Sequence, residues 1–282
     1  MGILDYFKPI SSWSAEKVRK FLQENKPEAY NLLDVRQPKE YTREHLPGAI
    51  LVPMSDLPEK MKELDPEKPT ITYCGIGVRS RAAASMLSHA GFRQVYSLEG
   101  GIKAWNGVVA EGEPEMGMAY FEPARSIEEF IGLAWLIESA TQSFYLKMAE
   151  RFQNTEAEPF FNQMGFIEER HQAFLEVLLE KISHQEKDEN FPQSLLPSLP
   201  PEPVMEGGIK LKDALAWAES HDLGEILQMA ISFESNAYDR YLLMIPKMED
   251  DETRDLFRVL AEEEKAHLSH LSNYLDKILA RS

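Results

Sequence analysis

The amino-acid sequence predicts two domains in series, a parallel α/β domain followed by an all-α four-helix bundle. Three observations lead to this prediction. The chain has 282 residues, which is enough for two domains that each bury a core. Residues 1–112 alternate short β-rich runs with helical stretches, the pattern of a parallel α/β domain. After residue 123 the β-rich runs stop, and four long amphipathic stretches follow, which indicates a helix bundle.

The domain boundaries follow from the same change in pattern. We expect the α/β domain at residues 1–112, a linker at 113–124 and the bundle at 125–282. The predicted linker is rich in Pro, Gly and acidic residues, a composition that interrupts regular structure.

In the α/β domain, β-branched and apolar runs predict strands at 31–35, 49–52, 70–74 and 94–97. The stretches 14–25, 54–64 and 79–90 predict the intervening helices. In the bundle, helices are expected at 126–152, 156–184, 222–248 and 251–279. Ser126 and Glu129 have the spacing of a capping box that begins the first of them, and Pro246 is expected to end or kink the third. Residues 186–221 form a long Pro-rich crossover, with a short helix at 210–220.

Composition excludes several classes of protein. Residues 1–110 carry a net charge of +2, whereas residues 111–282 carry −19. Such an acidic half argues against a nucleic-acid partner, because phosphate binding requires Lys and Arg. The sequence contains no apolar run long enough to span a bilayer and no secretory signal at its N-terminus. With a single cysteine, Cys74, a disulfide framework is excluded and a reducing compartment is favoured. We therefore expect a cytoplasmic protein without a membrane partner.

The bundle is internally duplicated at an offset of 96 residues. Each half has a lone Glu and, 30 residues later, the Glu of a Glu-x-x-His pair. On all four helices these residues interrupt stripes that are otherwise apolar and therefore face the core. The predicted metal ligands are Glu138, Glu168, His171, Glu234, Glu264 and His267.

Burial of four carboxylates is unfavourable unless cations neutralise them. Lys and Arg are missing from the stripes, so two metal ions are the predicted counterions. Oxygen and imidazole ligands suit iron, manganese or a mixed pair. Tyr145 and Tyr241 lie on the same stripes, either as core packing or as hydrogen-bond donors to the ligands. Glu169, Glu262 and Glu263 fall off the stripes and are expected to face solvent.

These residues resemble those of the rubrerythrin family of ferritin-like di-iron proteins over most of 126–279. The resemblance implies a centre of two iron ions that reduces hydrogen peroxide with electrons from a rubredoxin-like donor. This sequence departs from the family pattern twice. One cysteine cannot form a rubredoxin-like Cys₄ site, so the donor must be external. Position 237 is Ala, where rubrerythrins often have a further carboxylate.

Cys74 ends a predicted strand and is followed by Gly75, Ile76, Gly77 and Val78, which lead to Arg79 and a helix. The N–H groups at a helix N-terminus favour an anion, and glycines allow the tight turn that directs them. Arg79 adds a positive charge. A lone cysteine is often only a buried apolar side chain, but this context predicts a lowered thiol pKa and a stabilised thiolate or persulfide.

Four segments resemble a single-domain rhodanese: DVRQPKEY (34–41), HLPGAI (45–50), CGIGVR (74–79) and LEGGIKAW (98–105). The resemblance implies that Cys74 and Arg79 are catalytic. In this scheme Cys74 accepts sulfane sulfur from a donor as a persulfide and passes it to a thiol or cyanide. Asp34 and Arg36 are expected to brace the loop as an ion pair.

The leading hypothesis is a sulfurtransferase coupled to a peroxide-reducing di-iron bundle. In one alternative the bundle only binds iron or oligomerises. In another the rhodanese-like domain docks a partner protein. The resemblance and the long apolar stripes favour a homodimer through the bundle.

Overall fold

The computed structural model describes residues 10–112, 121, 124–183, 188–196 and 201–280. The chain forms two compact units, one comprising residues 1–114 with 238–261 and the other comprising residues 115–237 with 262–282. The predicted linker, 113–124, lies almost entirely outside the described residues, as do residues 186, 187 and 197–200 of the predicted crossover. The boundaries at 112 and 125 remain predictions.

A five-stranded parallel sheet organises residues 10–112. Its strands are β1 (Ser11–Trp13), β2 (Asn31–Asp34), β3 (Ile50–Leu51), β4 (Thr70–Tyr73) and β5 (Val95–Leu98), in the order β1-β5-β4-β2-β3. The strands β2 to β5 match the four predicted ones. Strand β1 was not predicted, because its three residues, two of them exposed polar serines, give no hydrophobic alternation.

The sheet is covered by α1 (Ala15–Glu24), α2 (Pro38–Arg43), α3 (Leu57–Lys60) and α4 (Val78–His89). Only α2 was not predicted, since six residues are too few to show helical periodicity. Adjacent residues of one strand point to opposite faces. Leu32 and Leu33 accordingly join different apolar clusters, so both faces of the sheet are buried, as parallel sheets require.

Five helices follow: α5 (Ile127–Arg151), α6 (Ala157–Ser183), α7 (Leu211–Ala218), α8 (Leu223–Met244) and α9 (Asp251–Leu279). The Ser126 side chain accepts a hydrogen bond from Glu129 N at 3.3 Å, as the capping box predicts. Pro246 lies in the 3₁₀ turn Ile245–Lys247, where α8 ends. Together, α5, α6, α8 and α9 are the four long helices that the sequence predicted, and α7 is the predicted short helix of the crossover.

The second unit has its own apolar core. Phe144, Tyr145, Phe161 and Phe233 are fully buried there and pack against one another edge-on or stacked. Helices α5 and α6 pack along their lengths. Across the described residues, none of the helices combines the length and the apolar character needed to cross a membrane.

Candidate functional sites

Cys74 lies directly after β4, at the carboxyl edge of the sheet. Four residues later α4 begins at Val78, so the thiol lies in a short loop before a helix N-terminus. Gly77 has a φ of +93°, in the left-handed region that favours glycine. Its N–H donates to Cys74 Sγ at 3.2 Å. Ile76 and Val78 are exposed on either side of Gly77, whereas Cys74 itself is buried.

The pKa of the Cys74 thiol is lowered from its ordinary value. Burial acts to raise this pKa, but hydrogen bonds from the Ser80 backbone N–H and hydroxyl and from the N–H groups of Ile76 and Gly77 outweigh it. A thiolate is therefore stabilised by donors that converge on the sulfur, as the loop geometry predicted. Ser80 was not among the predicted residues, although it directly follows Arg79 in the sequence.

Arg79 forms an ion pair with a second unpredicted residue, Glu40. Its Nη1 and Nη2 donate to the two Glu40 carboxylate oxygens at 2.7 Å each. This bidentate contact is the main cause that lowers the pKa of Glu40 to about 2. The Arg79 charge is consequently shared between Glu40 and the Cys74 thiol, with which it also interacts. Glu40 lies inside the segment DVRQPKEY, which is the sequence signal that could have indicated it.

A second glycine lies against the back of the loop. Gly101 has a φ of +62°, and a Cβ at this position would lie 2.2 Å from the Cys74 carbonyl oxygen. The N–H groups of Ile102 and Lys103 donate to the Cys74 and Gly75 carbonyls at 2.8 and 3.2 Å. The 3₁₀ turn Gly101–Ala104 thus holds the loop backbone in position.

Asp34 and Arg36 form the ion pair that was predicted. Arg36 Nη2 donates to Asp34 Oδ2 at 2.6 Å, and both side chains are buried. The same guanidinium donates to the Glu44 carbonyl and lies 5.5 Å from the centre of the Tyr73 ring, next to Cys74. The contacts brace the end of β4 and do not reach the sulfur.

The second unit brings the predicted metal ligands of α5, α6, α8 and α9 together in its interior. His171 Nδ1 lies 3.2 Å from Glu138 Oε2 and 3.5 Å from Glu168 Oε2. In the other half, His267 Nδ1 lies 3.1 Å from Glu234 Oε2 and 3.8 Å from Glu264 Oε2. All six are buried. The two imidazole rings are stacked with their centres 4.8 Å apart, so the two halves of the duplication contact each other through these histidines.

A fifth carboxylate, Glu206, joins this cluster from the crossover. One group of potential metal-binding atoms comprises Glu168, Glu206, Glu234 and His267, and within it these atoms lie within 4.8 Å of one another. Glu206 also forms such a group with Glu138 and Glu264. Glu206 was not predicted from the sequence, because it lies on no helical stripe and has no counterpart at the 96-residue offset.

Burial and the two imidazoles set opposite pKa shifts on these carboxyl groups. Burial raises the pKa of Glu168, Glu206 and Glu264 well above the ordinary value. The Glu138 and Glu234 carboxyls are equally buried, but His171 lowers the pKa of the first and His267 that of the second, to about 2 for Glu234. The protein thus buries five carboxyl groups here beside only two imidazoles.

The unpartnered atoms of the cluster fit a metal centre. Among the described residues, its carboxylates form ion pairs with histidines, and several of its buried atoms accept or donate no hydrogen bond. These atoms are Glu138 Oε1, His267 Nε2 and both carboxylate oxygens of Glu168, Glu206 and Glu264. Native proteins rarely leave buried polar atoms unpaired. Oxygen and imidazole donors in this number suit iron or manganese.

Two tyrosines and three glutamates that the sequence placed on or beside the stripes differ in their surroundings. The Tyr145 hydroxyl donates a hydrogen bond to Glu234 Oε1. Of the two roles expected for Tyr145, core packing or hydrogen-bond donation, the structure therefore shows donation. Tyr241 is buried and packs against Phe257 at 6.0 Å. The expectation that Glu263 faces solvent is wrong: it is half-buried, 3.8 Å from His171 Nε2. Because its Cβ lies at the edge of the stripe, the side chain reaches inward. Glu169 and Glu262 are exposed, as expected.

Two protein-family models match the chain. Residues 14–107 match the rhodanese-like domain, and residues 129–221 and 225–279 match rubrerythrin. The matched ranges enclose the Cys74 loop and every residue of the buried cluster, respectively.

Several known proteins are similar to part of this chain. The YqhL protein of Bacillus subtilis is 40% identical over 78 residues, which are 28% of this chain and 62% of that protein. The thiosulfate sulfurtransferase GlpE of Coxiella burnetii is 39% identical over 74 residues, 26% of this chain and 69% of that protein. The solved structure of a rhodanese-related protein from Thermoplasma volcanium is 33% identical and covers 36% of this chain and 97% of its own, with a TM-score of 0.32.

Proposed function

This chain belongs to the rubrerythrin family and carries a rhodanese-like domain before its helix bundle, and from that premise we propose that it is a sulfurtransferase whose bundle holds a peroxide-reducing di-iron centre. The Cys74 loop and the buried carboxylate cluster supply the two chemistries.

For the first activity, the supporting observation is the convergence of Ser80, Ile76 and Gly77 donors on the Cys74 sulfur. In the proposed reaction the Cys74 thiolate attacks the outer sulfur of thiosulfate, the compound named in a relative. The sulfur–sulfur bond breaks, sulfite leaves, and a Cys74 persulfide forms. Attack by cyanide or a thiolate on the outer persulfide sulfur then restores the Cys74 thiolate. The loop donors that stabilise the thiolate also stabilise the persulfide anion.

The test is sulfur transfer from thiosulfate to cyanide by the Cys74→Ser variant. We expect transfer to be lost, since a Ser hydroxyl cannot accept sulfane sulfur, while the metal content stays that of the wild type. Ser88→Ala is the matched control, because Ser88 is exposed near the end of α4. Transfer by Cys74→Ser at the wild-type rate would eliminate the persulfide proposal.

For the second activity, the supporting observation is the set of buried, unpartnered carboxylate oxygens around His171 and His267. Glu138, Glu168, His171, Glu234, Glu264 and His267 would hold the two iron ions. When bound, the iron pair supplies at one place the two electrons that convert peroxide, with two protons, into two waters. The chain positions Glu234 through the Tyr145 hydroxyl and keeps the centre away from bulk water through its burial. With one cysteine, these 282 residues cannot form a Cys₄ iron site, so the electrons come from an external donor.

Stopped-flow oxidation of the reduced, iron-loaded protein tests this activity. We expect oxidation by hydrogen peroxide to be much faster than oxidation by oxygen. Equal rates, with two irons bound, would contradict peroxide reduction and favour an iron-binding or assembly role for the bundle.

A further inference from the structure

We propose that Glu206 is a metal ligand shared by both ions of the centre, delivered by the crossover segment and not by one of the four long helices. This inference rests on the proposed di-metal function and adds a seventh protein ligand to it.

The Glu206 carboxylate lies in the protein interior. The residue is 1% exposed, and within the described part of the chain neither carboxylate oxygen has a hydrogen-bond partner. A carboxylate taken from water with no donor in reach is strongly disfavoured. A cation bound here would supply the missing partner of the ionised Glu206, and the surrounding ligand atoms suit one.

Glu206 lies between the two halves of the cluster. It shares one group with Glu168, Glu234 and His267 and another with Glu138 and Glu264, and in each group the ligand atoms lie within 4.8 Å of one another. Since the two oxygens of one carboxylate can bind two cations, this placement suits a bridging ligand.

The crossover segment holds Glu206 in this position. Val204 and Lys210 form a β-bridge. Inside it, Met205 N donates to the Ile209 carbonyl at 2.8 Å and Gly208 N to the Met205 carbonyl at 3.0 Å. These bonds close residues 204–210 into a tight loop with Glu206 inside it, so the carboxylate does not depend on a flexible segment for its position.

This loop is also fixed to the two helices that carry lone glutamates of the cluster. Glu206 N donates at 3.1 Å to the hydroxyl of Thr141, one turn after Glu138 on α5. Gly207, with a φ of +72°, lies against Phe233 on α8, the residue before Glu234, so closely that a Cβ would come within 2.7 Å of the Phe233 Cβ and 2.8 Å of its backbone. Only glycine permits this approach, and the approach brings Glu206 to the centre.

The test compares metal binding by the full-length wild type, Glu206→Gln and Glu202→Gln. Glu202 is the matched control, since it lies on the same crossover but is paired with Lys210 and Lys212 at the surface. The probes are Fe²⁺ without oxygen, in competition with a chelator, and Co²⁺, whose visible spectrum reports its ligands. We expect wild type and Glu202→Gln to bind two ions with the same affinity. Glu206→Gln should bind the metal at least about tenfold more weakly, because even the loss of a residue that only hydrogen-bonds to a metal ligand typically costs about tenfold or more in affinity. It should also change the Co²⁺ spectrum.

Three outcomes would overturn the assignment. If Glu206→Gln matches the wild type in affinity and in spectrum, Glu206 is not a ligand, although the di-metal function stands. If the wild type itself binds no metal, both proposals fail. Should Glu206→Gln not fold, Thr141→Val decides, because it removes only the hydroxyl that holds Glu206 N. A smaller loss of affinity in Thr141→Val supports the proposal, and wild-type affinity overturns it.

Discussion

At the scale of single residues, individual hydrogen-bond donors set the pKa of the Cys74 thiol. Ser80 contributes its backbone N–H and its hydroxyl to the stabilisation of the thiolate, and its hydroxyl also lies 2.9 Å from the hydroxyl of Ser97 on β5. Arg79, the cation that the sequence favoured, is shared with Glu40. Uncharged donors with fixed positions therefore have the leading part in lowering the thiol pKa.

Removing the Ser80 hydroxyl should raise the pKa of Cys74. The hydroxyl stabilises the charged form, so in Ser80→Ala a smaller fraction of the thiol is ionised at a given pH below the pKa. We expect the pH profile of Cys74 alkylation by iodoacetamide to move to higher pH, by about one pH unit for a lost hydrogen bond to a charged group. Ser88→Ala, on the same helix and exposed, should leave the profile unchanged. An unshifted profile in Ser80→Ala would assign the low pKa to the backbone alone.

At the scale of elements, the thiol loop depends on a turn that follows a different strand. The 3₁₀ turn Gly101–Ala104, after β5, donates two backbone hydrogen bonds to the loop that follows β4. Parallel strands place the ends of β4 and β5 at one edge of the sheet, which is where α/β proteins commonly bind their ligands. The sheet thus determines which loops meet, and glycine determines how closely.

Gly101→Ala should disrupt this contact. A Cβ at position 101 meets the Cys74 carbonyl at 2.2 Å, so the turn and the loop must separate and the donors must leave the sulfur. Gly91→Ala is the matched control, since Gly91 has a φ of +102° but nothing within 4 Å of its Cβ position. We expect Gly91→Ala to lose about 1 kcal/mol of stability from backbone strain alone, with sulfur transfer unchanged. Gly101→Ala should lose more stability in urea unfolding and most of its sulfur transfer. Wild-type transfer in Gly101→Ala would show that the loop tolerates the displacement.

At the scale of the whole molecule, the acidic residues are concentrated in the second half of the sequence. The net charge of −17 comes from the acidic second half of the sequence, and five of its carboxylates are buried together. Without cations the folded state retains protons on Glu168, Glu206 and Glu264, because burial raises their pKa values. Metal binding must displace these protons, so metal affinity, stability and pH are linked.

The metal-free protein should lose stability as the pH rises above the ordinary pKa of a Glu carboxyl, because folding raises the pKa values of Glu168, Glu206 and Glu264. A carboxyl whose pKa is raised by folding stabilises the folded state while it is protonated, and this contribution is lost as the pH rises through the folded-state pKa. Glu138 and Glu234, whose pKa values are lowered, are ionised in both states over this range and contribute no slope. Helix ellipticity during thermal unfolding in chelator measures the effect.

Added Fe²⁺ or Mn²⁺ should reverse this loss, by about 2.7 kcal/mol at a hundredfold excess over Kd. The gain should be larger at pH 8 than at pH 6, because fewer protons must be displaced. A metal-free protein that is more stable at pH 8 would contradict this account of the cluster.

The sequence alone determined those features that depend on spacing within one element. Glu168 and His171 are three residues apart, so a helix places them on one face whatever the rest of the chain does. The 96-residue offset then implies that Glu264 and His267 do the same. Likewise, a strand, two glycines and a helix are consecutive in the sequence, so the position of Cys74 before a helix N-terminus was predictable from local structure.

Only the tertiary structure decided contacts between residues that are distant in sequence. Ser97 beside Ser80, Glu40 beside Arg79, and Gly101 beside the Cys74 carbonyl depend on which strands are neighbours in the sheet. Glu206 lies in an aperiodic loop, and the sequence shows no repeat or stripe that points to it. Helical and strand periodicity are encoded within short segments, whereas the packing of one loop against another depends on the whole fold. For that reason the sequence predicted six residues of the buried cluster, and the structure was needed to place Glu206 beside them.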